Sequence, residues 1–273
     1  MLSRRRLLTA SLPMLWSGSA AWAQQRASIR DPLRFGVDQA LFDSGLATAL
    51  LHGFGRDTRI AVKLVRSPAL TVLEALERGE LDVALTNVPE AESRLENQGL
   101  LHDRRAVATG DFVIVGPAAR VKGQDVAGIA GGRNAAEALS RLRDAALATP
   151  GAITFLSAAD GSGAHAVEQA VWRQARIAPA APWYAVADSH AGLIAQARAR
   201  GAYALVERGA WLAQGGAPLA LLVEGDPRLR EAVHVMRAFR SYHPAAKIFL
   251  AWVTGPKGRS MVAGRRGYRA GGA

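Results

Sequence analysis

The sequence predicts an α/β fold of two lobes, in which mostly parallel sheets are covered by helices. Short apolar segments alternate with amphipathic segments of about 10–15 residues, a pattern typical of βα units. Two such series follow each other along the chain. The 273 residues are enough for one large or two medium domains.

The first series runs from residue 33 to residue 117. Its apolar runs predict strands at 33–37, 59–65, 81–86 and 111–117. Helices are predicted at 44–54, at 69–78 and from Pro89, because proline is favoured in the first turn of a helix. In the first of these helices Leu46, Leu50 and Phe54 share one face, and Asp43 or Ser44 is the expected N-cap.

The second series fills the rest of the chain. Strands are predicted at 152–156, 183–186, 203–207, 219–225 and 233–239. Helices are predicted at 134–147, 163–176 and 191–199, and a last helix falls within 245–262. The arginine-rich end at 265–269 is expected to be a solvated tail.

The first 23 residues predict an export signal. Arg4 and Arg5 precede an apolar stretch that is too short to span a bilayer, and Ala21-Trp22-Ala23 matches a cleavage site. The paired arginines resemble a twin-arginine signal, and the alternative is a general secretory signal with an arginine-rich head. We therefore expect a periplasmic protein that is cleaved after Ala23.

Composition limits the function classes. The formal net charge is +11, but the basic residues are scattered and aromatic residues make up only 6%, so no platform for stacked bases is expected. The absence of cysteine excludes disulfides and thiol chemistry. The six histidines show no paired metal-ligand spacing. We expect no nucleic-acid partner, no metal, no cofactor and a monomer.

The clearest binding feature is the turn DGSGAH at residues 160–165. Gly161 and Gly163 permit a close backbone approach, and the amides that open the following helix favour an anion. Loops 37–43, 66–70 and 187–192 also follow predicted strands, where α/β proteins bind ligands. The expected ligand-binding residues are Asp38, Gln39, Arg66, Ser67, Gly161, Ser162, Gly163 and His165.

Catalysis is not expected at this turn. Asp160, Ser162 and His165 have the composition of a catalytic triad, but they lie within six residues. Triad members normally come from separate loops, so that their hydrogen bonds can align. The G-x-S-x-G nucleophile elbow is also missing, so we expect a binding protein without enzymatic activity.

Several segments in order resemble one family, among them DVALTNVPEAESRLENQGL, DFVIVGP, SAADGSGAH, ARGAYALVERGAWLA and HPAAKIFLAWVTGPKGRSMVAG. Over residues 33–264 the chain resembles the periplasmic tungstate-binding proteins of ABC importers. The resemblance implies a type II periplasmic binding protein, in which two lobes joined by two crossing segments close on a ligand. It implies a first lobe of residues 24–116 and 226–273 and a second of 117–225. The implied partners are a small anion and the permease of an ABC importer.

The loops depart from the family pattern. The family's run of hydroxyl residues falls at residues 37–40 of this chain, where Asp38 and Gln39 stand instead. The family's threonine after the serine-glycine pair corresponds to Ala164, and its arginine corresponds to Ala158. An altered or lost ligand would leave a periplasmic sensor or partner-binding module, which is the alternative function.

Asp38 is the departure with the largest physical consequence. Tungstate carries no proton near neutral pH, whereas an ionised carboxylate only accepts hydrogen bonds, so Asp38 in the site would oppose it. Three interpretations are open. Asp38 caps a local turn, or Arg66 or His165 neutralises it, or the ligand carries its own donor.

Overall fold

The structure is a computed structural model that describes residues 28–118, 125–188 and 192–271. The predicted export signal and its cleavage site lie outside these residues, as does part of the loop at 187–192. None of the helices in the described ranges combines the length and apolarity that crossing a membrane requires.

Ten strands and ten helices occur in the described residues. The first part of the chain contains β1 (Leu33–Asp38), α1 (Gln39–Asp43), α2 (Leu46–Thr58), β2 (Val62–Ser67), α3 (Ala69–Glu77), β3 (Val83–Thr86), α4 (Pro89–Asn97) and β4 (Leu101–Pro117). The middle contains α5 (Ala135–Ala148), β5 (Phe155–Ser157), α6 (Gly163–Gln174), β6 (Tyr184–Val186), α7 (Leu193–Arg200), β7 (Ala204–Glu207), α8 (Arg208–Gln214) and β8 (Leu219–Val223). The last part contains β9 (Arg230–Ala238), α9 (Pro244–Thr254), α10 (Pro256–Ala263) and β10 (Arg269–Ala270).

The sheet of the first lobe places the loops that follow β1 and β2 at one edge, which are the loops predicted to bind a ligand. β1 lies between β2 and β3 and is parallel to both, so the carboxyl ends of these three strands point the same way. β9 is antiparallel to β3 and to β4, and β10 adds to β4 at the edge. Asp38 and Ser67 are register partners at the carboxyl ends of β1 and β2.

The second lobe is built on the continuation of β4. This strand pairs antiparallel with β7 and β8, while β5 and β6 pair in parallel beside β7. β4 and β9 are the two crossing segments, and they remain paired at Gly110 and Glu231. These features confirm the predicted α/β fold of two lobes.

Each lobe buries its own apolar side chains. In the first lobe the ring of Phe249 on α9 packs against Phe35 of β1 and Phe54 of α2, with centroids 5.1 and 4.9 Å apart. In the second lobe Trp172 of α6 packs edge-on against Phe155 of β5. Burial of each such side chain contributes about 1.5–3 kcal/mol, so each lobe has a core sufficient to position its loops.

Two predicted helices differ in the structure. The helix expected at 44–54 is α2, which begins at Leu46 after Gly45 at φ +78°, and the short helix α1 before it is an addition to the predicted elements. Gly45 stands at the N-cap of α2, so the expected cap at Asp43 or Ser44 is wrong, and Asp38 caps α1. The helix expected within 245–262 is divided at Gly255, because Pro256 has no N–H to continue the ladder.

The C-terminal segment is not a solvated tail. Tyr268 is buried against Gly209, and Arg269–Ala270 forms β10 on the edge of β4. The arginine-rich composition of this segment did not indicate the docking. The docking depends on one aromatic side chain, Tyr268, and on two residues of β10 that pair with β4. The short helix α8 and the full length of β4 are also additions to the predicted elements.

The lobes are closed on each other. The amide of Leu70 in α3 donates a 3.1 Å hydrogen bond to the carbonyl of Gly161 in the second lobe. A Cβ at Gly163 would lie 2.3–2.5 Å from the side chain of Asn87 in the first lobe. Glycine at this position therefore sets how closely the lobes approach.

Substitution Gly163→Ala should force the lobes apart. The added methyl group meets Asn87 inside its van der Waals distance, and overpacking of this kind costs about 1–3 kcal/mol. We expect a lower melting temperature and a larger radius of gyration by small-angle scattering. Gly55→Ala is the control, because a Cβ there meets nothing within 4 Å. Unchanged scattering and melting in Gly163→Ala would contradict this closed arrangement.

Candidate ligand site between the lobes

A small cavity lies where the strand ends of the two lobes face each other. Its volume is about 30 Å³, compared with the roughly 10–15 Å³ that one water molecule needs. The first lobe contributes the beginning of α1, and the second lobe contributes the turn before α6 and the ends around α7 and α8. The lining residues are Gln39, Ala40, Asp43, Ala158, Ser162, Ala164, Leu193, Ile194, Val206, Glu207, Ala210 and Gln214.

Asp38 directs its carboxylate at the helix amides of the first lobe. Its Oδ1 accepts a 2.9 Å hydrogen bond from the amide of Ala40, as the N-cap of α1. The amides of Leu41 and Ala69, at the starts of α1 and α3, also act to lower its pKa. Amides at a helix N-terminus have no partner within the helix, so they can bind an anion. In this chain a carboxylate of the protein engages them.

At Leu70, the residue after Ala69, an acceptor from the protein again engages an amide that could bind an anion. The amide of Leu70, in the first turn of α3, donates to the carbonyl of Gly161 across the lobe boundary. Gly161 has φ +82°, which a residue with a side chain adopts only with strain. First-lobe amides that could hold an anion are therefore engaged by acceptors from the protein.

The second lobe places the start of α6 at the cavity. Gly163 and Ala164 occupy the first turn of α6, where an N–H group has no partner within the helix. Ala164 and the buried Ser162 both line the cavity. The Ser162 oxygen accepts from the amide of His165 at 3.3 Å, which leaves its hydroxyl hydrogen available to a ligand.

His165 and Asp160 stabilise this turn. The Nδ1 atom of His165 accepts from the amide of Gly161 at 3.0 Å, and Asp160 accepts from the amide of Ser162 at 2.9 Å. Because Nδ1 is an acceptor, the neutral ring carries its proton on Nε2. The side chains of the turn thus bond to backbone, and Ser162 is not paired with the imidazole as a nucleophile with its base would be.

The remaining expected residues occupy different environments. Gln39 lines the cavity and donates to Asp43 at 2.7 Å. Ser67 is half-buried at the end of β2. Arg66 is exposed, and its guanidinium stacks 4.5 Å from the centre of the Phe42 ring. Among the described residues no ion pair joins Asp38 to a basic side chain, so neutralisation by Arg66 is not the arrangement present. The local cap is present, but it engages only one of the two carboxylate oxygens of Asp38.

Two acidic residues that sequence reasoning missed lie beside Asp38. Glu207, at the end of β7, is buried and borders the cavity, and its Oε1 has no hydrogen-bond partner. Glu231, at the start of β9, accepts from Asn87 at 2.9 Å through one oxygen only. Glu207 follows a strand and precedes a helix, which is a signal that could have identified it. Glu231 lies within a crossing strand and carries no such signal.

Burial changes the protonation of these carboxyls. Desolvation raises the pKa of Asp38 to about 7 and that of Glu231 to about 8. Desolvation, and then repulsion from Asp38, raise the pKa of Glu207 well above its usual range. The site therefore retains protons near neutral pH and can accept or donate hydrogen bonds. Within the described ranges, no group of three or more acidic or histidine side chains is arranged to hold a metal ion.

A larger cavity of about 430 Å³ lies between α4 and α6 at the same lobe boundary. Its walls are mainly apolar, as small-molecule sites generally are. Arg94, Arg228 and Arg230 line part of it and give it a positive rim, although Arg228 is paired with Asp226. Asn87 also borders this cavity.

Known proteins share this architecture. A protein of Haloferax volcanii, provisionally named an ABC transporter anion-binding protein, is 30% identical over 242 residues, covering 84% of this chain and 68% of that protein. The tungstate-binding protein TupA of Peptoclostridium acidaminophilum is 29% identical over 230 residues, covering 81% and 76%. The crystal structure titled as the tungstate ABC transporter from Geobacter sulfurreducens is 30% identical, with a TM-score of 0.73 over 86% of this chain and 99% of that one.

The family match extends across both lobes. Residues 23–257 match the family model described as a PBP superfamily domain, which covers far more than half of the chain. This match agrees with the two-lobe fold and with the relatives above. The chain therefore belongs to the PBP superfamily.

Proposed function

We propose that this protein is a solute-binding protein that captures a small anion between its lobes and delivers it to the permease of an ABC importer. The observation that carries the proposal is the cavity at the facing strand ends, with Ser162 and Ala164, at the start of α6, in its wall. The names of the relatives, which concern anion binding, tungstate binding and ABC transport, support the same function.

The finer parts of the proposal follow from the sequence. We infer export to the periplasm with cleavage after Ala23, action as a monomer, and no enzymatic activity. The proposed lobes are residues 24–116 with 226–273, and 117–225. The proposed ligand-binding residues are Asp38, Gln39, Arg66, Ser67, Gly161, Ser162, Gly163 and His165, to which the cavity wall adds Glu207.

A periplasmic sensor on the same fold is the weaker alternative. Its motivation was the loss of the family's hydroxyl residues. Two of the relatives are named as parts of ABC transporters and one as a tungstate-binding protein, and a cavity remains between the closed lobes. Import of a solute is therefore the better-supported function.

The mature chain from Gln24 should bind one small anion per molecule. Calorimetry against tungstate, molybdate, phosphate and sulfate measures this directly. Ser162→Ala should weaken the binding about tenfold, because a hydrogen bond to a charged group contributes about 1.5–3 kcal/mol. Ser260→Ala, on the exposed face of α10, is the matched control. If none of the four anions bound at millimolar concentration, capture of an oxyanion would be wrong.

The export route can be tested at the paired arginines. Replacing Arg4 and Arg5 with lysine should abolish export by a twin-arginine route, because that signal is read by a receptor. A general secretory signal needs only positive charge, so it would tolerate the change. Fractionation of cells that express each form shows whether the mature chain reaches the periplasm. Unchanged processing of the lysine form would contradict the twin-arginine route.

A further inference from the structure

The lobe boundary contains more hydrogen-bond acceptors than the protein can satisfy. One oxygen each of Asp38, Asn87, Glu207 and Glu231 is fully buried without a partner. All four side chains are at most 4% exposed. In the part of the chain that the structure describes, none of the three carboxyls forms an ion pair. Buried polar groups normally have a partner, so this concentration of acceptors requires a source of donors.

One of these acceptors borders the cavity between the lobes. Glu207, at the end of β7 in the second lobe, lines it, and Asp38 lies close enough to Glu207 to raise its pKa. Gln39 directs its amide nitrogen to Asp43, so its carbonyl oxygen remains as a further acceptor at the wall. The same wall contains Ser162, whose hydroxyl can donate, and Ala164 in the first turn of α6. The cavity thus has both accepting groups and donating groups in its wall.

An anion without protons matches only the donating groups. It brings no hydrogen to the unpartnered oxygens of Glu207 and Asp38, and its charge would oppose ionisation of either carboxyl, at a cost of about 4 kcal/mol at 4 Å and an effective dielectric of 20. A metal ion matches only the accepting groups, and the described acidic groups are not arranged to coordinate one. A ligand with both a negative charge and its own donors matches both kinds of group.

We propose, on the basis of the function proposed above, that the ligand is a small anion that carries its own hydrogen-bond donors. Glu207, with Asp38 beside it, accepts from those donors. The amides of Gly163 and Ala164 and the hydroxyl of Ser162 hold the negative end. Hydrogen phosphate and a small amino acid share this chemistry, whereas tungstate and sulfate lack it near neutral pH.

Calorimetry on the mature chain at pH 7 with four probes tests this assignment. The probes are inorganic phosphate, glycine, sulfate and tungstate. We expect phosphate or glycine to bind at least tenfold more tightly than sulfate and tungstate. Phosphate alone would identify a proton-bearing oxyanion, and glycine alone would identify an amino-bearing anion. This comparison uses the unaltered chain, so it does not depend on whether a variant folds.

Variants extend the test to the assigned residues. Glu207→Gln should lower the affinity for the probe that binds about tenfold. The glutamine amide supplies one weaker acceptor and a competing donor. Asp38→Ser should strengthen tungstate binding, because it replaces a like charge with a hydroxyl donor. Glu137→Gln is the matched control, since Glu137 is exposed on α5 and pairs with Arg141.

Three results would overturn the proposal, and they differ in scope. Tungstate or sulfate binding as tightly as phosphate and glycine would overturn the donor requirement and leave the transport function intact. No binding of any probe at millimolar concentration would overturn both. Phosphate binding that survives Glu207→Gln but is lost in Arg230→Ala would place the ligand in the larger cavity, which would also overturn the assignment.

Discussion

The closed structure depends on burying Asp38, Glu207 and Glu231 together without a cation among the described residues. Three ionised carboxylates in this position would repel one another and lack the water that stabilises their charge. The closed lobes are therefore compatible with these groups when they hold protons or meet donors from a ligand. The cavity, the raised pKa values and the proposed ligand chemistry all follow from this one constraint.

Close contact between the lobes is the second part of the arrangement. Gly161 and Gly163 let the turn before α6 reach α3 and Asn87, so second-lobe atoms engage donors of the first lobe. A ligand must compete with these contacts, since the carbonyl of Gly161 already holds the amide of Leu70. The chain has the family fold. At the cleft, however, acceptors from the protein itself engage amides at the starts of α1 and α3. Asp38 is central to that arrangement, because its carboxyl oxygen accepts from a helix amide that could otherwise bind an anion.

The sequence predicted the α/β series, the two lobes and the turn at 160–165, because periodicity and glycine placement are local properties. It offered a local cap as one of three interpretations of Asp38, but it did not predict the short helix α1 that Asp38 caps. Glu231 and Tyr268 were missed because their importance arises from long-range pairing between β4, β9 and β10. The accepting and donating groups of the cavity wall, among them Glu207, Gln39 and Ser162, also come together only in the folded chain. Local patterns carry no information about that contact.

The most direct test measures the free energy of unfolding from pH 5 to pH 8.5. A carboxyl with a raised pKa keeps its proton when folded and loses it when unfolded, so the stability it contributes is lost as pH rises from about 4.5 to 8. The account predicts a fall of about 1.4 kcal/mol per pH unit for each proton released, and a shallower fall in Glu231→Gln. Asp82, whose pKa is lowered, titrates below this range, and exposed Asp144→Asn is the control. Stability that is constant or rises between pH 5 and 8 would show that the buried carboxyls are ionised, which would contradict the account.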